Sequence, residues 1–262
     1  MSRENQYFSA HLFRILMKTH LLLILLLLGW FVFPVSGASK WKEFTYKSFA
    51  ARDFSKWPQM LDSFGKEAMA SDDVDRQVEL FVYYYGYIGH LLDYDRKDEA
   101  SKWNKQAMKL MKQVKSRHET DVRIVALNAI FLAYDIAISP FRAALEVPSL
   151  FRSSRRALKI DPNCYLAQQM QANLLFYLPE VFGGDKQKAI VYYKKVYQFF
   201  KNNPQISRYD WMYLNVISTL GNAYEKTGHV DVALSWAKLA LQVEPGFMYV
   251  RNVLMPRLQK EM

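Results

Sequence analysis

Apolar residues recur along most of this chain at the three-to-four spacing of an amphipathic helix, and no multi-residue run alternates as a strand would. The clearest case is 95–117, where Ala100, Trp103, Ala107, Leu110, Met111 and Val114 form one stripe and lysines take the opposite face. Before it, 73–93 carries apolar positions dense enough for burial on most sides, with Asp72, Asp73 or Asp75 as its cap. The two predict a helical hairpin with a turn near Tyr94–Asp98, in which Gly86 and Gly89 are close-packing positions and His90 is structural or exposed. A third helix is expected over 120–138, capped by Thr120 with Asp121 in its first turn, and Ser139-Pro140 ends or kinks it. The region Pro140–Pro148 then delays its partner helix to about 149–159. Further helices are expected over 163–178, 185–202 and 208–226, and a last one over 246–260. The aromatic-rich stretch 39–72, where Pro58 suits a first helical turn, reads as one or two short helices capping the stack.

The stretch Leu214–Phe247, LNVISTLGNAYEKTGHVDVALSWAKLALQVEPGF, shows how such hairpins are built. Gly221 and Ala233 have little or no side chain, so two antiparallel helices can approach there. Gly228 supplies the turn, and Pro245 stops the second helix. The ending Ala240-Leu241-Gln242-Val243-Glu244-Pro245 recurs as Ala157-Leu158-Lys159-Ile160-Asp161-Pro162, which marks an internal repeat. Leu220, Gly221, Tyr224, Ala233, Ala240 and Pro245 also fall at the offsets of a tetratricopeptide repeat, and the stretch resembles that family along its length. Ala237 stands where the family prefers a large aromatic, with Trp236 beside it. Ala157, Pro162, Ala172, Ala189 and Tyr193 extend the resemblance to 150–201. The implied fold is all-α, a right-handed superhelix of antiparallel helix pairs. It would occupy 39–262 as one domain, with 39–72 as N-terminal cap, hairpins over 73–117, 120–162, 163–203 and 208–247, and a capping helix over 248–260.

Two features set the compartment. Residues 21–33, LLLILLLLGWFVF, are preceded by Lys18 and His20 and followed by Pro34-Val35-Ser36-Gly37-Ala38. That order reads as a signal peptide over 1–38 cleaved before Ser39, with a retained N-terminal membrane anchor as the alternative. The expected location is therefore exported, periplasmic or otherwise extracytoplasmic. Met17 opens a compact version of the same signal, so the start lies at Met1 or Met17. The single cysteine, Cys164, excludes an intramolecular disulfide and reads as a packed thiol. The formal net charge is +10; residues 1–38 hold Arg3, Arg14 and Lys18 against Glu4, so the remainder carries +8. A spread positive charge on an exported chain points to acidic partners, anionic headgroups or solubility and away from nucleic acid.

Enzymatic chemistry finds no motif. His90, His118 and His229 are far apart in sequence, Cys164 has no basic partner at helix spacing, and neither a nucleophile elbow nor a phosphate loop is present. No metal and no cofactor are expected. The tetratricopeptide resemblance implies instead a concave groove lined by the first helix of each pair, where a protein or peptide segment binds. Asn128, Asn173 and Asn222 recur there in similar settings, with Gln169, Ser218 and Glu225 on the same face, and each offers groups for main-chain or carboxylate capture. The plainer reading is that these asparagines solvate the wall or bond between helices.

The turn 178–185, LPEVFGGD, is a shape device: Phe182 tucks between helices, Gly183-Gly184 bends the chain, and Asp185 caps the next helix. It resembles a Phe-Gly-Gly-Asp-x-x-Lys-Ala turn of exported bacterial repeat proteins, among them the accessory subunit of tripartite periplasmic transporters, although their lipid-anchor cysteine is missing here. That resemblance implies association with a solute-binding protein. The alternative function is thus a ligand-binding or transport-accessory module, with Tyr83, Tyr84, Tyr87, Phe176 and Tyr177 lining an aromatic pocket.

Overall fold

The structure, a computed structural model, describes residues 40–261, without the side chains of 142–145, and every regular element in it is helical. Helices α1 (Lys40–Ala51) and α2 (Trp57–Ala70) lead into α3 (Val74–Asp93) paired with α4 (Lys97–Lys115). Next come α5 (Val122–Ile138) with α6 (Ala143–Ile160), then α7 (Tyr165–Tyr177) with α8 (Lys186–Asn202). A single turn, α9 (Pro204–Ser207), leads to α10 (Trp211–Lys226) with α11 (Val230–Val243). A π-helical turn (Val250–Leu254) and α12 (Met255–Lys260) close the described chain. Successive hairpins stack: α3, α5 and α7 form the inner layer, while α4, α6 and α8 lie outside them. The architecture is an all-α solenoid of adjacent helix pairs. Among the described residues no helix is long and apolar enough to cross a membrane, and the expected signal or anchor over 1–38 lies outside them.

Local chemistry sets most boundaries. Asp73 caps α3 by accepting from the Asp75 amide at 2.9 Å, and Asp185 caps α8 through Lys188 N at 2.9 Å. Pro58 lies in the first turn of α2, and Gly228 turns between α10 and α11 at φ 79°. Four expectations need correction. Asp121, not Thr120, caps α5, accepting from Arg123 N at 2.9 Å. Helix α6 begins at Ala143 and carries Pro148 inside it; burial of Val147 and Leu150 on either side offsets the lost hydrogen bond. Phe182 does not tuck between helices but is 41% exposed. Its expected place against the turn is taken by Phe151, whose ring would lie 3.2 Å from a Cβ on Gly183. The last helix is not regular from 246, because Pro256 cannot donate and the turn before it widens to π geometry.

One contact ties distant hairpins together. Trp211, at the start of α10, is buried against α3, where a Cβ on Gly86 would come within 2.8 Å of its ring. Around it lie Phe49 of α1 (ring centroids 5.3 Å apart), Tyr85 (5.6 Å) and Trp57 (6.3 Å), and Phe49 also meets Phe247 at 5.6 Å. In a simple repeat array each unit touches only its neighbours. Here α1 packs on α10, so the first hairpin and the fourth share one aromatic core. Gly86→Ala should therefore destabilise the protein by about 1–3 kcal/mol through overpacking. Gly65→Ala, whose new methyl would meet Leu80 Cδ1 at 3.9 Å, should be neutral or stabilising by up to about 1 kcal/mol. Urea denaturation of both variants checks the pair.

Candidate functional site

The inner layer carries a polar network. The Tyr85 hydroxyl of α3 accepts from Gln169 Nε2 at 3.2 Å and from Asn173 Nδ2 at 3.0 Å, both on α7. Asn173 Oδ1 accepts from the Tyr193 hydroxyl at 2.9 Å and from Gln169 Nε2 at 3.0 Å. The Tyr134 hydroxyl of α5 donates to the Tyr85 carbonyl at 2.9 Å and fills the space that a Cβ on Gly89 would need. Helical period explains the assembly: 169, 173 and 177 lie on one face of α7, and 85 and 89 on one face of α3. Burial raises Tyr85, Tyr134 and Tyr193 above the ordinary phenol range, so all three stay neutral.

The network is a floor, and its mouth lies where the hairpins turn. Tyr177 is 68% exposed there, and Tyr94 is 50% exposed just past the end of α3. Asp93 is open to solvent yet surrounded by protein, and that enclosure raises its carboxyl to about 6 against the pull of Arg52. Its charge is felt by Tyr85, Tyr134 and Tyr177. Arg52, at φ 55° just beyond α1, bonds the Tyr94 hydroxyl and lies 5.5 Å over the rings of both Tyr94 and Tyr249. His90 stacks on Phe54 at 3.8 Å, and burial followed by the Arg96 and Arg52 charges lowers it to about 4, so it is neutral at pH 7.

A second network closes the far side. Asn222 Oδ1 accepts from the Tyr249 hydroxyl at 2.9 Å and from Arg257 Nη2 at 2.8 Å. Glu225 takes the same guanidinium in a fork, at 2.5 and 2.6 Å.

The expected groove residues thus meet different fates. Gln169 and Asn173 belong to the floor, and Asn222 and Glu225 to the closing network. The buried Ser218 hydroxyl donates back to the Asn215 carbonyl at 3.0 Å. Asn128 is not on this wall: it faces a shallow cleft with Lys112, Lys115 and Glu119. The five aromatics do not line one pocket. Tyr83 packs on Trp57 and Phe64, Tyr84 on Trp103, and Tyr87 on Trp57 and Trp103, because these positions of α3 face α2 and α4. Phe176 meets Tyr193, and Tyr177 alone of the five reaches the mouth. Tyr85, Asp93, Tyr134 and Arg52 were not singled out in sequence; the glycines at 86 and 89, each needing a bulky partner, were the available signal.

Burial pushes the Cys164 thiol up, which leaves it unreactive. Among the described residues no group of three or more His, Cys, Asp or Glu is placed to hold a metal ion. No protein-family model matches the chain, and no curated protein matches it.

Two measurements test this geometry. Asn173→Leu leaves the Tyr193 hydroxyl without its acceptor and should cost about 1–3 kcal/mol, whereas Asn128→Leu should stay within about 0.5 kcal/mol. The second concerns pH. A carboxyl raised from 3.8 to about 6 favours the protonated folded state, so its contribution is full below pH 4 and is lost as pH rises through 6. Asp93→Asn should therefore be more stable than wild type at pH 8 and equal to it at pH 4 in urea melts. The gap should be about 1 kcal/mol, because solvent still reaches the side chain.

Proposed function

We propose that this chain is a non-catalytic interaction scaffold of tetratricopeptide type that works outside the cytoplasm. It binds a segment of a partner protein at the mouth of its inner wall. The observation that carries this reading is the combination of the exposed Tyr177 and Tyr94 with the half-enclosed Asp93, set over a floor that is already hydrogen-bonded. A floor so engaged is rigid, and rigid aromatic anchors bind with little loss of side-chain freedom. Among the described residues Asp93 makes no carboxylate–cation bridge of the kind that Glu225 makes, and its raised carboxyl gains from any cation that approaches. The partner segment is therefore one that presents Lys or Arg to Asp93 and lays its stem over the tyrosine rings. The apolar run 21–33 with its small-residue exit supports export.

A displayed peptide library selected against the purified protein tests this at pH 7.5. Enriched peptides should carry Lys or Arg, and their binding should fall at least about tenfold in Asp93→Asn and in Tyr177→Ala, the loss expected of one charge or one aromatic anchor. Selected peptides without basic enrichment, or binding that survives both substitutions, would contradict the reading. Asp93→Asn keeps or raises stability, so a loss there is not unfolding.

A further inference from the structure

The charge of this chain is sorted between its layers. Helices α4, α6 and α8 carry six, four and five Lys or Arg, against two, one and no Asp or Glu. Residues 39–262 as a whole carry only +8, so the rest of the solenoid is slightly acidic. Among these fifteen cations only Lys97 and Lys188 form an ion pair among the described residues, with Asp95 and Asp185 near the hairpin turns. Toward the other end of the stack the cations face solvent. Lys112 and Lys115 finish α4, Arg155 and Arg156 lie in the last turns of α6, and Lys194 and Lys195 flank a cleft beside α7.

A helix C-terminus favours one nearby cation for its dipole. Two or more unpaired cations on each of three successive helices exceed that need. Two shallow clefts lie at this end. One, of about 400 Å³, sets Lys194 and Lys195 beside Asn163, Gln198 and Asn202. The other, of about 350 Å³, sets Lys112 and Lys115 beside Ser116 and Asn128, with the Glu119 carboxylate also on its rim. The first thus combines two ammonium groups with amide donors and no acid, the set that phosphate oxygens take, and the second carries two ammonium groups against one carboxylate.

We propose that this end of the solenoid is a docking face for a membrane surface rich in anionic phospholipids. The charges are spread over the ends of three parallel outer helices and do not track along one groove, so they match a broad planar anion better than a single strand or peptide. Helix α1 also starts at this end: Lys42 Nζ donates to the Ile206 carbonyl at 2.5 Å and lies 3.6 Å from Asp210, the cap of α10. In sequence only residues 34–39 separate α1 from the apolar run 21–33. The partner-binding mouth lies at the opposite end, since Arg52 beyond the end of α1 touches Tyr94.

The test uses the full chain in vesicles of phosphatidylcholine, with or without about one third phosphatidylglycerol. A fluorophore goes on a new cysteine at Gln198→Cys, in the lysine cleft, or at Val181→Cys, at the hairpin-turn end. Both sites are exposed, whereas native Cys164 is buried and stays unlabelled. Headgroup-linked quenchers should quench the Gln198→Cys label several-fold more in anionic than in neutral vesicles. About 0.5 M salt should abolish the difference, because the Debye length falls below 5 Å. The Val181→Cys label should not respond, and Arg155→Glu with Arg156→Glu should remove the effect without lowering the melting temperature. Equal quenching in both vesicle types would overturn the proposal, as would a Gln198→Cys label that stays unquenched. Protection of that label by a DNA duplex or by polyglutamate at lower concentrations than anionic vesicles would also overturn it.

Discussion

The seating of Trp211 over Gly86 is the constraint from which the rest of the arrangement follows. A methyl group at position 86 would stand 2.8 Å from the indole, so the approach exists only because that residue is glycine. Trp211 brings α10 to α3, although more than a hundred residues separate them. Phe49 and Phe247 complete the cluster and draw in both the N-terminal helix and the stretch after α11. The stack therefore ends in a tied loop and not in two free capping units. That closure brings Arg52 and Tyr249 to the same rim as Tyr94, and so defines the mouth above Asp93.

What the sequence made legible was the local part of this design. Hydrophobic period and caps located the helices of the four hairpins except the start of α6 and the cap of α5, because burial of one stripe and satisfaction of the first amides are decided within a few residues. Gly86, Gly89, Gly221 and Gly228 were also readable as contact or turn positions. The partners of those glycines were not. Nothing near position 86 points to Trp211, and nothing near Gly89 points to Tyr134, since such pairings depend on how hairpins stack. The asparagines show the same limit. Asn128, Asn173 and Asn222 have similar local settings, yet one faces a lysine cleft, one holds two tyrosines and one binds an arginine. A period identifies the face of a helix, while its neighbours decide what that face meets.

The solenoid is polar from end to end as well as from layer to layer. The hairpin-turn end exposes Tyr94, Phe141, Tyr177, Val181 and Phe182, an apolar content that a solvated edge does not require. At the other end the last turns of α4, α6 and α8 present lysines and arginines to solvent, while the acids there, Asp72, Asp75, Asp121 and Asp210, are engaged with Arg117, Arg123 and Lys42. Between them the tyrosine floor links α3, α7 and α8 through the Tyr85, Gln169, Asn173 and Tyr193 hydrogen bonds. The proposed scaffold, presenting one surface to a partner and another to an anionic membrane, would gain from such a core, because neither docking event would have to order it.

The central claim is that the tie through Trp211 makes the first and fourth hairpins one cooperative unit. Hydrogen exchange of the Trp211→Ala variant tests it most directly. The account predicts that amides of α3 and of α10 lose protection together and by the same free energy, with α1 following. Loss confined to the first turns of α10, with α3 as protected as in the wild type, would contradict it and return the structure to an open array of neighbouring repeats.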